Sequence, residues 1–167
     1  MSYKPVAQEL ARYNHWQNGQ MMGICDTLNA AELERNQGLF FKSILATLDH
    51  VLYVDRVLIG IFCHGVVPAF DPATRLSNDY NDYKNHRYAE DDGISAICND
   101  ASDTWFEETV TLENKALNRS RVLPRWFHAS QMFNHQTHHR SQVTSALHRL
   151  GLDYGNTDLP YNPMSAY

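Results

Sequence analysis

Residues 124–151, PRWFHASQMFNHQTHHRSQVTSALHRLG, decide the fold. Pro124 opens the stretch as a proline does at the first turn of a helix, and Gly151 closes it where helices end in the left-handed conformation. With His135 taken as 0° and about 100° per residue, Ala146 falls at about 20°, His139 at about 40°, Met132 and Leu150 at about 60° and Val143 at about 80°. The spacing predicts one long helix over residues 124–150, with a stripe facing a core and two histidines in that stripe.

Three more stretches with helical period lie upstream. Residues 5–28 place Leu10, Asn14, Gln17, Met21, Ile24 and Leu28 at spacings of three and four, with Pro5 at the start and Asn29 as an end. Asn14 and Gln17 read as hydrogen-bonded interior amides or as the lining of a polar cavity. Residues 40–62 carry a wide apolar face of Phe41, Ile44, Leu45, Leu48, Leu52, Ile59 and Phe62, and a second strip of Val54, Val57 and Ile61. A helix apolar on both sides is buried on both. Gly65 and Pro68 stop it, and a turn-rich link through Pro72, Asn78, Asp79, Tyr80, Asn81, Asp82 and Tyr83 follows. Such a link, of about twenty residues, is too long for adjacent antiparallel helices, so it suggests a crossover between parallel ones. Residues 90–112 form the third stretch, with Ile94, Ile97, Cys98, Ala101, Trp105 and Phe106 and with Val110-Thr111-Leu112 ambiguous between helix and strand. Residues 30–39, 65–87 and 115–124 read as loops. The expected fold is all-α, a four-helix bundle in one domain over residues 1–167.

Composition limits the functions. The chain has 167 residues and a net charge of −5, which argues against a nucleic-acid partner, since phosphate backbones are held by clustered Lys and Arg. Cys25, Cys63 and Cys98 are odd in number and widely spaced, the pattern of a reducing cytoplasm and not of a disulfide frame. No apolar run reaches about 18 residues, so no membrane span is expected. A chain of this size buries enough surface to fold without a metal. A metal site would therefore serve function.

Nine histidines stand out, four of them in residues 128–139. His135 and His139, at i and i+4, present two imidazoles to one small cation. His138, at about −60°, and Arg140, at about 140°, leave that face. His128 shares it but lies about 10 Å along the helix from His135. A catalytic site of the zinc type needs a third protein ligand. His50 is the candidate from another helix, beside its reading as a core-edge histidine bonded to a backbone carbonyl. His15, His64, His86 and His148 read as surface residues.

Two segments carry a family resemblance. Leu48-Asp49-His50-Val51-Leu52-Tyr53-Val54-Asp55-Arg56 and Phe133-Asn134-His135-Gln136-Thr137-His138-His139-Arg140-Ser141-Gln142 closely resemble the DinB family. Tyr13-Asn14-His15-Trp16-Gln17-Asn18 is similar to its first-helix signature and Asp158-Leu159-Pro160 to its ending; Ser141 stands where the motif more often has glycine. The resemblance implies up-down-down-up topology, a homodimer, and a divalent metal held by His50, His135 and His139. Zinc or nickel lead as the metal, with iron after them, because imidazole suits all three.

A divalent ion on three neutral imidazoles keeps its full charge, so a bound water or thiol would ionise near neutral pH. The resemblance implies a thiol-dependent transferase or isomerase acting on a small molecule, with a low-molecular-weight thiol as co-substrate. A metal-dependent hydrolase and a non-catalytic metal-binding bundle are the alternatives, and a fourth ligand from Asp55 or His138 would favour the last. Asp55 is a candidate partner for a ligand histidine of the fourth helix. The competing and favoured reading makes it a buried partner of Arg12, Arg56 or Arg140. Asn14, Asn18, Gln131 and Tyr53 are candidates to line the pocket.

Overall fold

The computed structural model describes residues 2–65, 71, 73–114 and 119–167. Helix α1 (Lys4–Cys25) has Pro5 in its first turn, where an N–H would be unpaired in any case. Asn29 does not end this helix. It starts the short α2 (Ala30–Glu34) through a reciprocal capping box with Glu32, in which Asn29 Oδ1 accepts from Glu32 N at 3.0 Å. Helix α3 (Ile44–His64) starts at Ser43, whose hydroxyl accepts from Ala46 N at 3.1 Å. Phe40 and Phe41 therefore precede the helix. Gly65 ends it at φ +65°, while Pro68 and Pro72 lie outside the described residues.

The expected loop over residues 65–87 is too long. Asp79 caps α4 (Tyr80–Asp100) by accepting from Asp82 N at 2.9 Å, about three turns before the helix was expected to begin. The buried stripe of α4 is Tyr83, Arg87, Asp91, Ile94 and Cys98. Its first turns are polar inside, so apolar periodicity cannot mark them. A one-turn α5 (Asp103–Glu107) follows, and then a hairpin of β1 (Thr109–Asn114) and β2 (Arg119–Pro124). The hairpin makes Val110-Thr111-Leu112 strand and replaces the loop expected before Pro124 with a second strand, a two-stranded sheet added to a mostly helical chain. Val110 faces Leu123 and Thr111 faces Val122 in its antiparallel register, a pairing of branched side chains that suits a pleated sheet. The last helix, α6 (Arg125–Arg149), ends in a Schellman motif: Gly151 takes φ +77°, and Leu152 N donates to Leu147 O at 3.0 Å.

The chain is mostly helical. In the bundle of four long helices, α3 packs mainly on α6 and α1 mainly on α4, while α1–α6 and α3–α4 contacts close the ring. Two apolar clusters fill the interior. One contains Met21, Met22, Leu45, Leu48, Leu52, Tyr83, Val143 and Leu147; the other contains Ala7, Ala11, Phe62, Ile94, Cys98, Met132 and Phe133. In sequence, the buried polar residues Asn14, Asn18, Asp55, Arg87, Asp91, Gln136 and Arg140 fall between the members of these clusters on every long helix. Among the described residues, no helix is long and apolar enough to cross a membrane.

Candidate metal centre

The geometry of α6 stacks His135 and His139, one turn apart, with ring centroids 4.4 Å apart. Across the α3–α6 contact stands His50, with centroids 5.3 Å from His135 and 4.9 Å from His139. One nitrogen from each of the three lies within 4.8 Å of the others. Zinc takes imidazole nitrogens at about 2.0–2.1 Å, so small side-chain rotations bring these three atoms onto one ion. Among the described residues the group is three histidines, with no cysteine or carboxylate in it.

The surroundings fit a cation and not protons. Burial, followed by the neighbouring His139, His50 and His138, pushes the His135 pKa down to about 3. Burial also lowers His139, against a raising contribution from Gln142. His135 Nδ1 is buried without a hydrogen-bond partner among the described residues. A buried polar atom left in that state is costly, and a bound ion or water would relieve the cost. His139 Nδ1 lies 3.1 Å from Gln142 Oε1, and Gln142 Nε2 lies 3.1 Å from His138 Nε2. Phe41 stacks on His50 with centroids 3.8 Å apart.

A cleft of about 250 Å³ opens beside His50, walled by Phe40, Phe41, Lys42, Ala46, Ala73, Thr74 and Arg75. Asp49 tethers its far wall: its carboxylate accepts from Leu76 N at 2.7 Å and lies 3.5 Å from Arg75 Nε. Asp49 and Gln142 are parts of the site that periodicity did not single out, and Phe41 was read only as a member of an apolar helix face. Their signals were an aromatic ahead of a serine cap, an acid next to His50, and a glutamine one turn after two histidines.

The remaining expected residues are elsewhere. Asp55 is fully buried and accepts from Arg87 Nη1 at 2.6 Å. Arg12 pairs with Glu9, Arg56 with Glu90, and Arg140 with amides, so none of the three expected arginines holds Asp55. The partner is Arg87, one residue taken for loop. Burial pushes the Asp55 carboxyl up against the pull of Arg87. For Arg87, burial opposes the charge, but Asp91 and Asp55 outweigh it and hold the guanidinium protonated. Asp91 in turn accepts from Asn18 Nδ2 at 2.9 Å and Asn14 Nδ2 at 3.3 Å. Arg140 donates to Asn14 Oδ1, and to Gln136 Oε1 at 3.0 Å. Arg140 does leave the histidine face as expected, yet it is buried in this second polar group. Asn14, Gln17 and Asn18 are thus hydrogen-bonded interior amides and not pocket walls, Gln17 donating to Asn156 O at 3.0 Å. Tyr53 OH accepts from Asp71 N at 3.1 Å, and Gln131 is exposed. His128 is buried outside the cluster, His138, His64 and His148 are exposed, and His15 and His86 are half-buried.

Four long helices with three clustered histidines, His50 and His139 buried and His135 half-buried, define a helical bundle with a site able to hold a metal ion. The DinB family model matches residues 1–167, and the chain belongs to the DinB family. A search of curated proteins finds no match to it.

Proposed function

We propose that the protein is a metal-dependent enzyme in which His50, His135 and His139 hold one divalent ion, zinc or nickel, and that its reaction is a transfer or isomerisation assisted by a low-molecular-weight thiol. The observation that carries this reading is the convergence of three imidazole nitrogens within 4.8 Å with no fourth protein ligand in the group among the described residues. A structural zinc site closes with four protein ligands, whereas three leave a position for a reactant. The chemistry such an ion supplies is Lewis acidity, which lowers the pKa of a water or thiol toward neutrality.

The chain's own residues support that chemistry in three ways. Burial keeps His135 and His139 unprotonated at neutral pH, so their lone pairs are available. Phe40 and Phe41 give the cleft an apolar wall, while Lys42 and Arg75 bring cationic groups to it. Asp49 is fully buried and keeps the Ala73–Arg75 wall against α3 through Leu76.

The same reading takes the chain as one cytoplasmic domain that forms a homodimer, acts on a small molecule and binds neither nucleic acid nor membrane. Its helices run up-down-down-up: α1 and α6 pass from the cluster of Phe133 to that of Leu48 along the chain, while α3 and α4 pass the other way. The test is elemental analysis of the purified protein, followed by a thiol-transfer screen with several cellular thiols. Activity lost with chelator and restored by one metal supports the transferase. Thiol-independent turnover identifies a hydrolase, and no turnover with a saturated four-ligand ion identifies a binding protein. Light scattering at micromolar concentration tests the dimer, and a monomer rejects it.

A further inference from the structure

The geometry points to Gln142 as the positioning residue that selects the metal-binding tautomer of His139. The inference rests on the proposed metal centre for its purpose, but the hydrogen bonds that carry it are properties of the chain alone.

A neutral imidazole has one N–H and one lone pair, and only the nitrogen with the lone pair can bind a cation. His139 Nδ1 faces Gln142 Oε1 at 3.1 Å. An amide oxygen only accepts, so the proton of His139 sits on Nδ1 and Nε2 carries the lone pair. The opposite end of the same amide is committed too: Gln142 Nε2 lies 3.1 Å from His138 Nε2 and donates to it. His138 therefore carries its own proton on Nδ1. Rotating the Gln142 amide by half a turn would point an N–H at His139 Nδ1, move the proton to Nε2 and block that nitrogen. His138, outside the cluster, thus acts as the acceptor that keeps the amide in the productive orientation. The spacing explains why one side chain reaches both rings, since residues 138 and 139 lie four and three positions before residue 142 on one helix. Partners of this kind fix ring orientation and typically change metal affinity by about 10–100-fold when removed.

The experiment compares wild type, Gln142→Leu and Gln142→Glu, each with zinc as the probe and with folding checked by circular dichroism. In the metal-free proteins, two-dimensional NMR of the ¹⁵N-labelled imidazoles reports which nitrogen of His139 is protonated. Wild type and Gln142→Glu are expected to hold the proton on Nδ1, because a carboxylate also accepts there, while Gln142→Leu populates the Nε2–H form. Zinc affinity is expected to fall about tenfold or more in the leucine variant and to be retained in the glutamate variant. Rescue by an acceptor-only side chain separates positioning from packing. A wild-type His139 protonated on Nε2, or a tautomer unchanged by leucine, overturns the inference whether or not zinc binds. Wild type that binds no zinc while showing the Nδ1–H tautomer lost in Gln142→Leu overturns the metal reading and leaves the tautomer selection standing.

Discussion

The phenyl ring of Phe41 lies against the imidazole of His50, with centroids 3.8 Å apart and planes inclined by 24°. Lys42, at φ +71°, turns the chain between this ring and the Ser43 cap, so the stack depends on the way α3 begins. Phe41→Ala removes the surface that orients His50. An aromatic contact of this kind is worth about 0.5–1.5 kcal/mol, so zinc affinity should fall about two- to tenfold with helix content unchanged. A competition titration against a chromophoric chelator measures this, and equal affinities would reduce Phe41 to a packing role.

The proposed ligand set predicts about one divalent ion per chain in the purified protein. The His135→Ala/His139→Ala double variant should carry none, and His50→Ala should bind at least about tenfold more weakly than wild type. Elemental analysis after gel filtration reads out both. Full occupancy in the double variant would remove the assignment.

Arg87 sits between Asp55 and Asp91 with no exposed surface. Arg87→Met strands two buried carboxylates, and losing one side of a buried ion pair costs about 3–5 kcal/mol. Urea unfolding at pH 7 should show that loss, with part of it recovered when Asp55→Asn is added. Two single substitutions whose effects simply add would mean that the pair is not coupled.

His128 is buried, its Nε2 has no hydrogen-bond partner among the described residues, and burial holds its pKa below the ordinary 6.5. The unfolded chain takes up this proton first as pH falls, so the folded state loses stability below about pH 6.5 through this group. His128→Leu removes both the stranded atom and the proton linkage. It should be more stable by about 1 kcal/mol at pH 7, and its advantage should grow toward pH 5. Unfolding midpoints at several pH values test this, and parallel curves for the two proteins would contradict it.

Much of the bundle was legible in the amino-acid order because apolar residues repeat with the helical period in α1, α3 and α6. The first three turns of α4 were not, since the inward positions there and just beyond are Tyr83, Arg87 and Asp91 in place of aliphatic residues. The hairpin was only half visible: Val110-Thr111-Leu112 showed strand character, but its partner Arg121-Val122-Leu123 was read as loop. At the site, the i, i+4 spacing placed His135 and His139 together, whereas helix position made His50 only a candidate and the family resemblance selected it. Asp55 was recognised as buried and paired, but Arg87 was hidden in a segment read as loop.

The sequence by itself determined four amphipathic helices, the face of α6 that carries two histidines, and membership of a family with a recurrent histidine pattern. Helical period reports the direction a side chain takes around its own axis and nothing about the helix opposite. Only the tertiary structure decided that His50 faces His135 and His139, that Arg87 is the partner of Asp55, and that Phe41 covers His50. Each of those pairings depends on how separate helices, or the turn that begins one, are set against each other, and that setting follows from packing of the whole core.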